Sequence, residues 1–98
     1  MIPPRISFHP FADDELLEAY RWYRARSPSA AADFRSQVDR AITAISEAPA
    51  RPAGYLHGTR RVFVHRFPFF IVYRVIDDAV EIVAVAHGRR RPGYWSDR

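Results

Sequence analysis

The residues best suited to chemistry lie near the end of the chain. His87 and Gly88 are followed by three consecutive arginines, and the aromatic pair Tyr94 and Trp95 comes shortly after them. The arginines are Arg89, Arg90 and Arg91. Arginine interleaved with aromatic rings can hold phosphate and stack on bases, and an imidazole can transfer protons near neutral pH. Two interpretations stay open: a grip on an anionic partner with His87 as general acid or base, or a basic tail whose aromatic rings pack back on the core beside a structural His87.

The charge distribution favours an anionic partner. All 15 basic residues are arginine, and the net charge is +4 at pH 7. Residues 1–50 carry 6 arginines and 7 acidic residues, whereas residues 51–98 carry 9 arginines and 4 acidic residues. A basic half on a small domain predicts an anionic partner, either nucleic acid or an acidic protein segment. The exclusive use of arginine is equally compatible with GC-rich coding.

Other site chemistries find no support in the sequence. His9, His57 and His65 lack the spacing of metal ligands, and the chain has no cysteine. Neither a phosphate-binding loop nor a dinucleotide-binding glycine pattern is present. We therefore expect no metal, no cofactor and no small-molecule substrate.

Length and hydropathy narrow the class of protein. A chain of 98 residues predicts one domain over residues 1–98. No apolar run approaches the roughly 18 residues that a membrane span requires, and residues 1–10 lack the apolar core of a secretory signal. These features predict a cytoplasmic protein without membrane contact.

Hydrophobic spacing predicts two helices after a short first strand over residues 5–8. The first helix presents an apolar face at Ala12, Leu16, Ala19, Tyr20 and Tyr23. The second helix repeats the spacing at Phe34, Val38, Ala41, Ile42 and Ile45. Ser27-Pro28-Ser29 separates the two helices, and the second helix must end before Pro49. Asp14, Glu15 and Glu18 are expected to form a solvated face of the first helix.

The second half predicts three strands, over residues 61–67, 69–76 and 80–86, after a loop over residues 48–58. If Asp77-Asp78 is a two-residue turn, Val75 faces Val80, Arg74 faces Glu81 and Tyr73 faces Ile82. The order β-α-α-β-β-β predicts an α+β fold, with an N-terminal strand, a helical hairpin and a C-terminal antiparallel sheet that carries the helices on one side.

This register divides the sheet into two apolar faces. The face expected to pack on the helices carries Phe69, Ile71, Tyr73, Val75, Val80, Ile82 and Ala84. The opposite face carries Phe70, Val72, Val83 and Val85. No further helix remains to cover this second face, and an uncovered apolar face predicts a protein partner. Trp22 beside the first helical face could cap the core or anchor a partner, and Arg60 and Arg61 could hold an anion or simply begin an exposed strand.

Taken in order, these residues resemble the RelE/ParE superfamily of bacterial type II toxins over nearly the whole chain. The resemblance rests on Asp14-Glu15-Leu16-Leu17-Glu18-Ala19 with Trp22-Tyr23, on Arg61, on Phe67-Pro68-Phe69, on the strand Ile71-Val72-Tyr73-Arg74-Val75, and on residues 84–90 with Pro92 and Tyr94-Trp95. It implies a growth-inhibiting toxin that a cognate antitoxin neutralises. Arg89, Arg91 and Trp95 join the expected partner contacts.

The superfamily implies two activities. RelE-like members cut messenger RNA on the ribosome, and ParE-like members inhibit DNA gyrase without a known hydrolytic site. His87, Arg90 and Tyr94 resemble C-terminal residues of the ribonuclease branch. However, the positions where that branch carries cations on the sheet correspond here to Val62, Phe63, Val64 and Phe70. We therefore expect the ParE-like activity, with the ribonuclease, or a non-toxic relative that acts only in an antitoxin complex, as the alternatives.

Overall fold

A computed structural model describes residues 4–98 of the chain. Its elements are β1 (Arg5–Phe8), α1 (Pro10–Arg26), α2 (Pro28–Glu47), a short 3-10 turn (Leu56–Gly58), β2 (Arg60–Phe63), β3 (Phe69–Ile76) and β4 (Ala79–His87). The predicted order β-α-α-β-β-β is confirmed. Within residues 4–98, no helix has the length and apolar character needed to cross a membrane.

The four strands form one sheet in the order β1-β4-β3-β2. The β2, β3 and β4 strands pair antiparallel, as predicted, whereas β1 lies parallel to β4. A parallel pair needs a long crossover connection, and the hairpin of α1 and α2 lies within the chain that joins β1 to the other three strands. Because β4 pairs with β1 on one side and with β3 on the other, it lies inside the sheet. Its last residue is His87, and residues 88–98 follow it.

Ser27 makes the joint between the two helices. Its backbone N–H donates to the carbonyl of Tyr23 at 2.8 Å and closes α1, while its hydroxyl accepts from the N–H of Ala30 at 3.2 Å and caps α2. Pro28 occupies the first turn of α2, where the missing N–H of proline has no cost. The predicted break at Ser27-Pro28-Ser29 is therefore confirmed, and α2 ends before Pro49 as expected.

The helices bury one face of the sheet in a core rich in aromatic rings. Tyr23 lies 5.1 Å from both Phe34 and Phe67, and Phe34 lies 5.4 Å from Phe69, measured between ring centroids. The fully buried members of this core include Ala12, Phe34, Val38, Ile45, Ile71, Tyr73, Val80 and Ile82. The predicted apolar faces of both helices are thus the faces that pack on the sheet.

The second strand is shorter than predicted. It ends at Phe63 rather than at Phe67, because the chain turns back through residues 64–67, where the N–H of Phe67 donates to the carbonyl of Val64 at 3.1 Å. Arg66 adopts a φ of 71° in this turn. Val64 and Phe67, which suggested a longer strand, instead pack against the helix-side core, which lies between the helices and the sheet.

A β-bulge corrects the predicted division of the sheet faces. The turn at Asp77-Asp78 gives the expected pairs, including Tyr73 with Ile82, but the next pair is Val72 with Ala84. The extra residue on β4 reverses the facing of later residues. Ala84 therefore belongs to the second face, while Val85 lines a cleft beside α1. Val75 is 44% exposed near the hairpin tip instead of packing on the helices.

The prediction that the second apolar face is uncovered is wrong. Residues 93–98, which we call the C-terminal cover, fold back over it and bury Trp95 to 2% exposure. Tyr55 completes the layer, with its ring centroid 5.5 Å from that of Trp95. The residues buried beneath are Phe70, Val72, Val83, Ala84 and Ala86. A short segment supplies this cover because one indole ring is large enough to shield several small aliphatic side chains.

Gly93 allows the cover to turn. Its φ is 80°, and a Cβ atom at this position would lie 3.0 Å from Nε2 of His57. Both the backbone conformation and the close approach of the imidazole therefore favour glycine.

Candidate functional site

A cleft of about 370 Å³ opens where α1 passes the end of β4. It brings together side chains that are distant in sequence. They include Glu15, Glu18, Trp22, Tyr23, Phe69, Val85, His87, Arg90 and Tyr94. The three residues considered for catalysis therefore line one cleft, and the exposed Trp22 lies on its wall.

His87 is the last residue of β4, and its environment restricts what the ring can do. Nδ1 accepts a hydrogen bond from the backbone N–H of Arg89 at 3.0 Å, so in the neutral ring the proton resides on Nε2. The ring lies edge-on to Phe69 with centroids 5.1 Å apart. Nδ1 is thus occupied by the chain itself, and Nε2 is the nitrogen left to donate a hydrogen bond.

Tyr94 is held by a carboxylate from α1. Its hydroxyl donates to Oε2 of Glu15 at 2.6 Å, and the guanidinium of Arg90 lies 4.1 Å from its ring centroid. Burial raises the pKa of Tyr94 well above its usual value, the hydrogen bond and charge of Glu15 raise it further, and Arg98 and Arg90 lower it less. The phenol therefore keeps its proton at neutral pH and has that proton directed at Glu15.

Glu15 is the centre of this arrangement, and the prediction that it is solvated is wrong. Oε1 accepts from the backbone N–H of Val85 at 3.1 Å and from Nη1 of Arg98 at 2.7 Å, while Oε2 accepts from Tyr94 and from Nη2 of Arg98 at 3.2 Å. The Glu15 and Arg98 side chains are only 16% and 12% exposed. One carboxylate thus joins α1, β4 and the C-terminal cover.

The sequence contained a signal for this role. Glu15 lies three residues after Ala12 and four before Ala19, and both alanines are buried. A carboxylate at that spacing lies on the packed side of a helix, where it must have partners. Asp14 and Glu18 lie outside this position and are exposed, as predicted.

A second ion pair fastens the far end of the cover. Nε of Arg74 donates to Oε1 of Glu81 at 2.8 Å, and Nη2 of Arg74 donates to the backbone oxygen of Arg98 at 2.6 Å. Arg98 also donates from Nη1 to the carbonyl of Val83 at 3.0 Å. The predicted cross-strand pair of Arg74 and Glu81 is therefore present and also holds the C-terminal cover.

Trp22 lies at the edge of the cleft and does not cover the hydrophobic core. Its side chain is 52% exposed, with its ring edge-on to Tyr23 at 5.1 Å. The guanidinium of Arg26 lies 3.7 Å from its centroid. The indole therefore offers an apolar surface beside the cleft, with one face covered by an arginine.

The remaining predicted partner residues lie in three places. Arg89 and Arg91 are exposed beyond the end of β4, and Arg60 and Arg61 lie on β2 across the sheet, where Arg60 donates to the carbonyl of Pro52. Phe70, Val72, Val83, Val85 and Trp95 are buried. Phe70, Val72 and Val83 cannot contact a partner while the C-terminal cover, which includes Trp95, is docked over them. Val85 is 2% exposed on the wall of the cleft beside α1.

Comparison with solved structures defines the class of fold. The chromosomal ParDE toxin–antitoxin system of P. aeruginosa contains a chain that superposes with a TM-score of 0.74 at 18% identity, over 86% of this chain and 95% of that chain. The YoeB dimer of Staphylococcus aureus superposes with a TM-score of 0.58 at 16% identity, over 88% and 98% of the respective chains. The fold is thus that of RelE/ParE-type toxins, as the sequence resemblance implied.

Sequence comparison gives the family. Toxin ParE2 of Mycobacterium tuberculosis, found in two strains, is 29% identical over 89 residues, which cover 90% of this chain and 85% of the relative. A model of the ParE toxins of type II toxin–antitoxin systems matches residues 6–92. The chain belongs to the ParE toxin family.

Proposed function

We propose that this protein acts in the cytoplasm as a non-hydrolytic toxin that inhibits DNA gyrase and is neutralised by a cognate antitoxin. The observation that carries the non-hydrolytic part is the bond from the Tyr94 hydroxyl to Glu15 at 2.6 Å. A phenol held by a carboxylate, with a raised pKa, is poorly placed to exchange protons with RNA.

The charges around the cleft support the same proposal. RNA cleavage develops negative charge on the phosphate, and fixed cations near it account for much of the rate. Here Arg90 shares the cleft with the exposed carboxylate of Glu18, which opposes an incoming phosphate, while the charge of Glu15 is already paired with Arg98. Removal of one stabilising group from such a site typically costs about 10²–10³-fold in rate, and a general acid or base at the position of His87 would contribute only about 10²–10⁴-fold.

The sheet supports the proposal as well. Val62 packs toward the helix-side core, Val64 is 1% exposed, and Phe70 lies beneath the C-terminal cover. None of these side chains can supply charge to a phosphate. A gyrase inhibitor requires a shaped and charged surface rather than a catalytic centre, and the basic second half provides one.

The same basic half supports an antitoxin as the partner. Residues 51–98 carry 9 arginines and 4 acidic residues, and Arg89, Arg90 and Arg91 are all exposed. An acidic antitoxin segment would complement this charge and speed association.

One observation favours the ribonuclease as the second candidate. Arg90 stacks on Tyr94 in the same cleft as His87, which is the set of residues that the resemblance implied for messenger RNA cleavage. The test is to incubate the purified protein with programmed ribosomes and map the cut sites. We expect no efficient cleavage. Position-specific cuts that vanish in His87→Ala or Arg90→Ala would contradict the proposal and favour the ribonuclease.

The exposed arginine run gives a prediction about toxicity. Replacing Arg89, Arg90 and Arg91 together by Ala should weaken growth inhibition, because the run is proposed to contact an anionic partner. Each site is exposed, so the free energy of unfolding should change by about 0.5 kcal/mol or less per site. The measurement is growth after induction, with thermal unfolding of the purified variant as the check on folding.

The matched control for this variant replaces Arg21, Arg24 and Arg40 together by Ala, which removes the same number of exposed arginines from the helices. Full toxicity of the triple variant would show that the arginine run is a solvated tail. If the unaltered protein itself fails to inhibit growth when it is expressed without an antitoxin, the non-toxic alternative is the correct one.

A further inference from the structure

The outer edge of β2 carries unpaired backbone groups in a defined pattern. β2 is the last strand of the sheet and pairs only with β3, with Phe63 opposite Phe70 and Val62 opposite Ile71. The N–H of Val64 donates to the carbonyl of Phe69 at 2.9 Å. Antiparallel residues alternate between hydrogen-bonded and non-bonded pairs, so the bonded β2 residues are Arg60 and Val62. The N–H and C=O groups of Arg61 and Phe63 therefore point away from β3.

The loop before β2 supplies a hydrogen-bond partner to the backbone at the start of this edge, but not to the backbone of Arg61 or Phe63. Thr59, which precedes β2, also points its carbonyl outward by the same alternation, and that oxygen accepts from the N–H of Tyr55 at 2.7 Å. Within residues 4–98, no such bond from outside the sheet reaches the backbone of Arg61 or Phe63. The exposed edge is therefore limited to these two residues.

The side chains of Arg61 and Phe63 also share one surface. Val62 packs against the helix-side core, so its two neighbours project from the opposite face of the strand. Phe63 is 64% exposed, with its ring centroid 5.7 Å from that of Phe70. The guanidinium of Arg61 lies 3.9 Å from the ring centroid of Tyr55 and 5.0 Å from that of Phe63. We call this surface, made by Tyr55, Arg61, Phe63 and Phe70, the β2 tray.

The guanidinium of Arg61 forms no ion pair within residues 4–98 and can therefore bind a carboxylate. The ion pairs among residues 4–98 join Arg74 to Glu81 and Arg98 to Glu15, so neither uses Arg61. A guanidinium stacked on a ring keeps its N–H donors in the plane, where they can hold a carboxylate. Stacking on Tyr55 also restrains the side chain before any partner arrives.

We infer that the outer edge of β2 binds an extended acidic segment of the antitoxin as an additional strand. The segment pairs with the backbone of Arg61 and Phe63, places a carboxylate against Arg61, and packs an apolar side chain on Phe63. Strand addition draws affinity from backbone hydrogen bonds and specificity from alternate side chains. The identity of the occupant rests on the proposed function, whereas the location and the chemistry rest on the contacts of β2.

Charge and backbone pattern favour this occupant over two others. A second copy of the chain would bring another Arg60–Arg61 pair to the same edge, and like charges on adjacent strands are destabilising. A nucleic acid phosphate would meet the outward carbonyls of Arg61 and Phe63, which repel it. A peptide strand satisfies both the N–H and the C=O groups.

The test is an NMR titration of the full chain with a short capped peptide of alternating Glu and Val, and separately with its Lys and Val counterpart. The Glu peptide should shift the amide signals of Arg61 and Phe63, while those of Arg60 and Val62, which already face β3, move less. Arg61→Glu should weaken binding of the Glu peptide by at least about tenfold and transfer the preference to the Lys peptide. Arg5→Glu, on the opposite edge strand β1, is the matched control and should bind like the unaltered chain.

Three results would overturn the inference. They are no shift at Arg61 and Phe63 at millimolar peptide, equal binding of the two peptides, and protection of these amides by self-association in the absence of peptide. Binding of a single-stranded oligonucleotide at the same amides, with no effect of either peptide, would assign the β2 tray to nucleic acid. A chain that binds the Glu peptide at β2 but leaves gyrase and growth unaffected would contradict the proposed function and not this site.

Discussion

Replacing Glu15 by Ala should lower the free energy of unfolding by about 3 kcal/mol, because removal of one partner from a largely buried ion pair leaves the other without compensation. The variant leaves Arg98 without a carboxylate and removes the acceptor for the N–H of Val85 and the hydroxyl of Tyr94. The measurement is urea unfolding followed by far-UV circular dichroism.

Glu18→Ala is the matched control for Glu15→Ala. It removes the same side chain from an exposed position three residues later on α1, and its effect should stay within about 0.5 kcal/mol. Equal effects of the two substitutions would show that Glu15 is a surface carboxylate in solution. A Glu15→Gln variant should fall between them, because the amide oxygen can still accept a hydrogen bond but carries no charge.

Replacing Trp95 by Ala should be the most damaging single change in the C-terminal cover. Truncation of a buried aromatic ring to Ala costs about 3–5 kcal/mol, and Trp95 is 2% exposed against Phe70 and its neighbours. Because each kcal/mol shifts the melting temperature of a domain of this size by about 4–8 °C, the melting temperature of the variant should be much lower than that of the unaltered chain. Uncovering the second sheet face should also increase binding of the dye ANS.

Two further variants keep this prediction testable. Trp22→Ala removes an indole that is 52% exposed, so it should cost much less than Trp95→Ala. The indole N–H of Trp95 has no hydrogen-bond partner within residues 4–98, so Trp95→Phe loses volume alone and should remain folded. Similar melting temperatures for Trp22→Ala and Trp95→Ala would show that the cover does not pack on the sheet in solution.

Local patterns were sufficient to predict the order of the helices and strands in this fold. The joint between the helices was predictable because the Ser27 hydroxyl caps α2 and proline is favoured in the first turn of a helix. The turn at Asp77-Asp78 likewise set the pairing of Tyr73 with Ile82. These features depend on residues close together in the chain. The bulge beyond Val72 could not be predicted in the same way, since it adds one residue to β4 without a change in hydrophobic pattern.

The site was predicted only in part, because its organisation depends on contacts across the whole chain. His87, Arg90 and Tyr94 were identified from composition and resemblance, and they line one cleft. Glu15 was missed because its partner Arg98 lies 83 residues away. Separation along the chain also explains the error about the second sheet face, since nothing in the strands that carry Phe70 and Val72 indicates that Trp95 returns to cover them.

The most direct test of the proposed function is a DNA gyrase supercoiling assay with relaxed plasmid and increasing amounts of the purified protein. The proposal predicts loss of supercoiled product, with His87→Ala as inhibitory as the unaltered chain because no proton transfer is involved. Unchanged supercoiling at a large molar excess of folded protein would contradict the proposal.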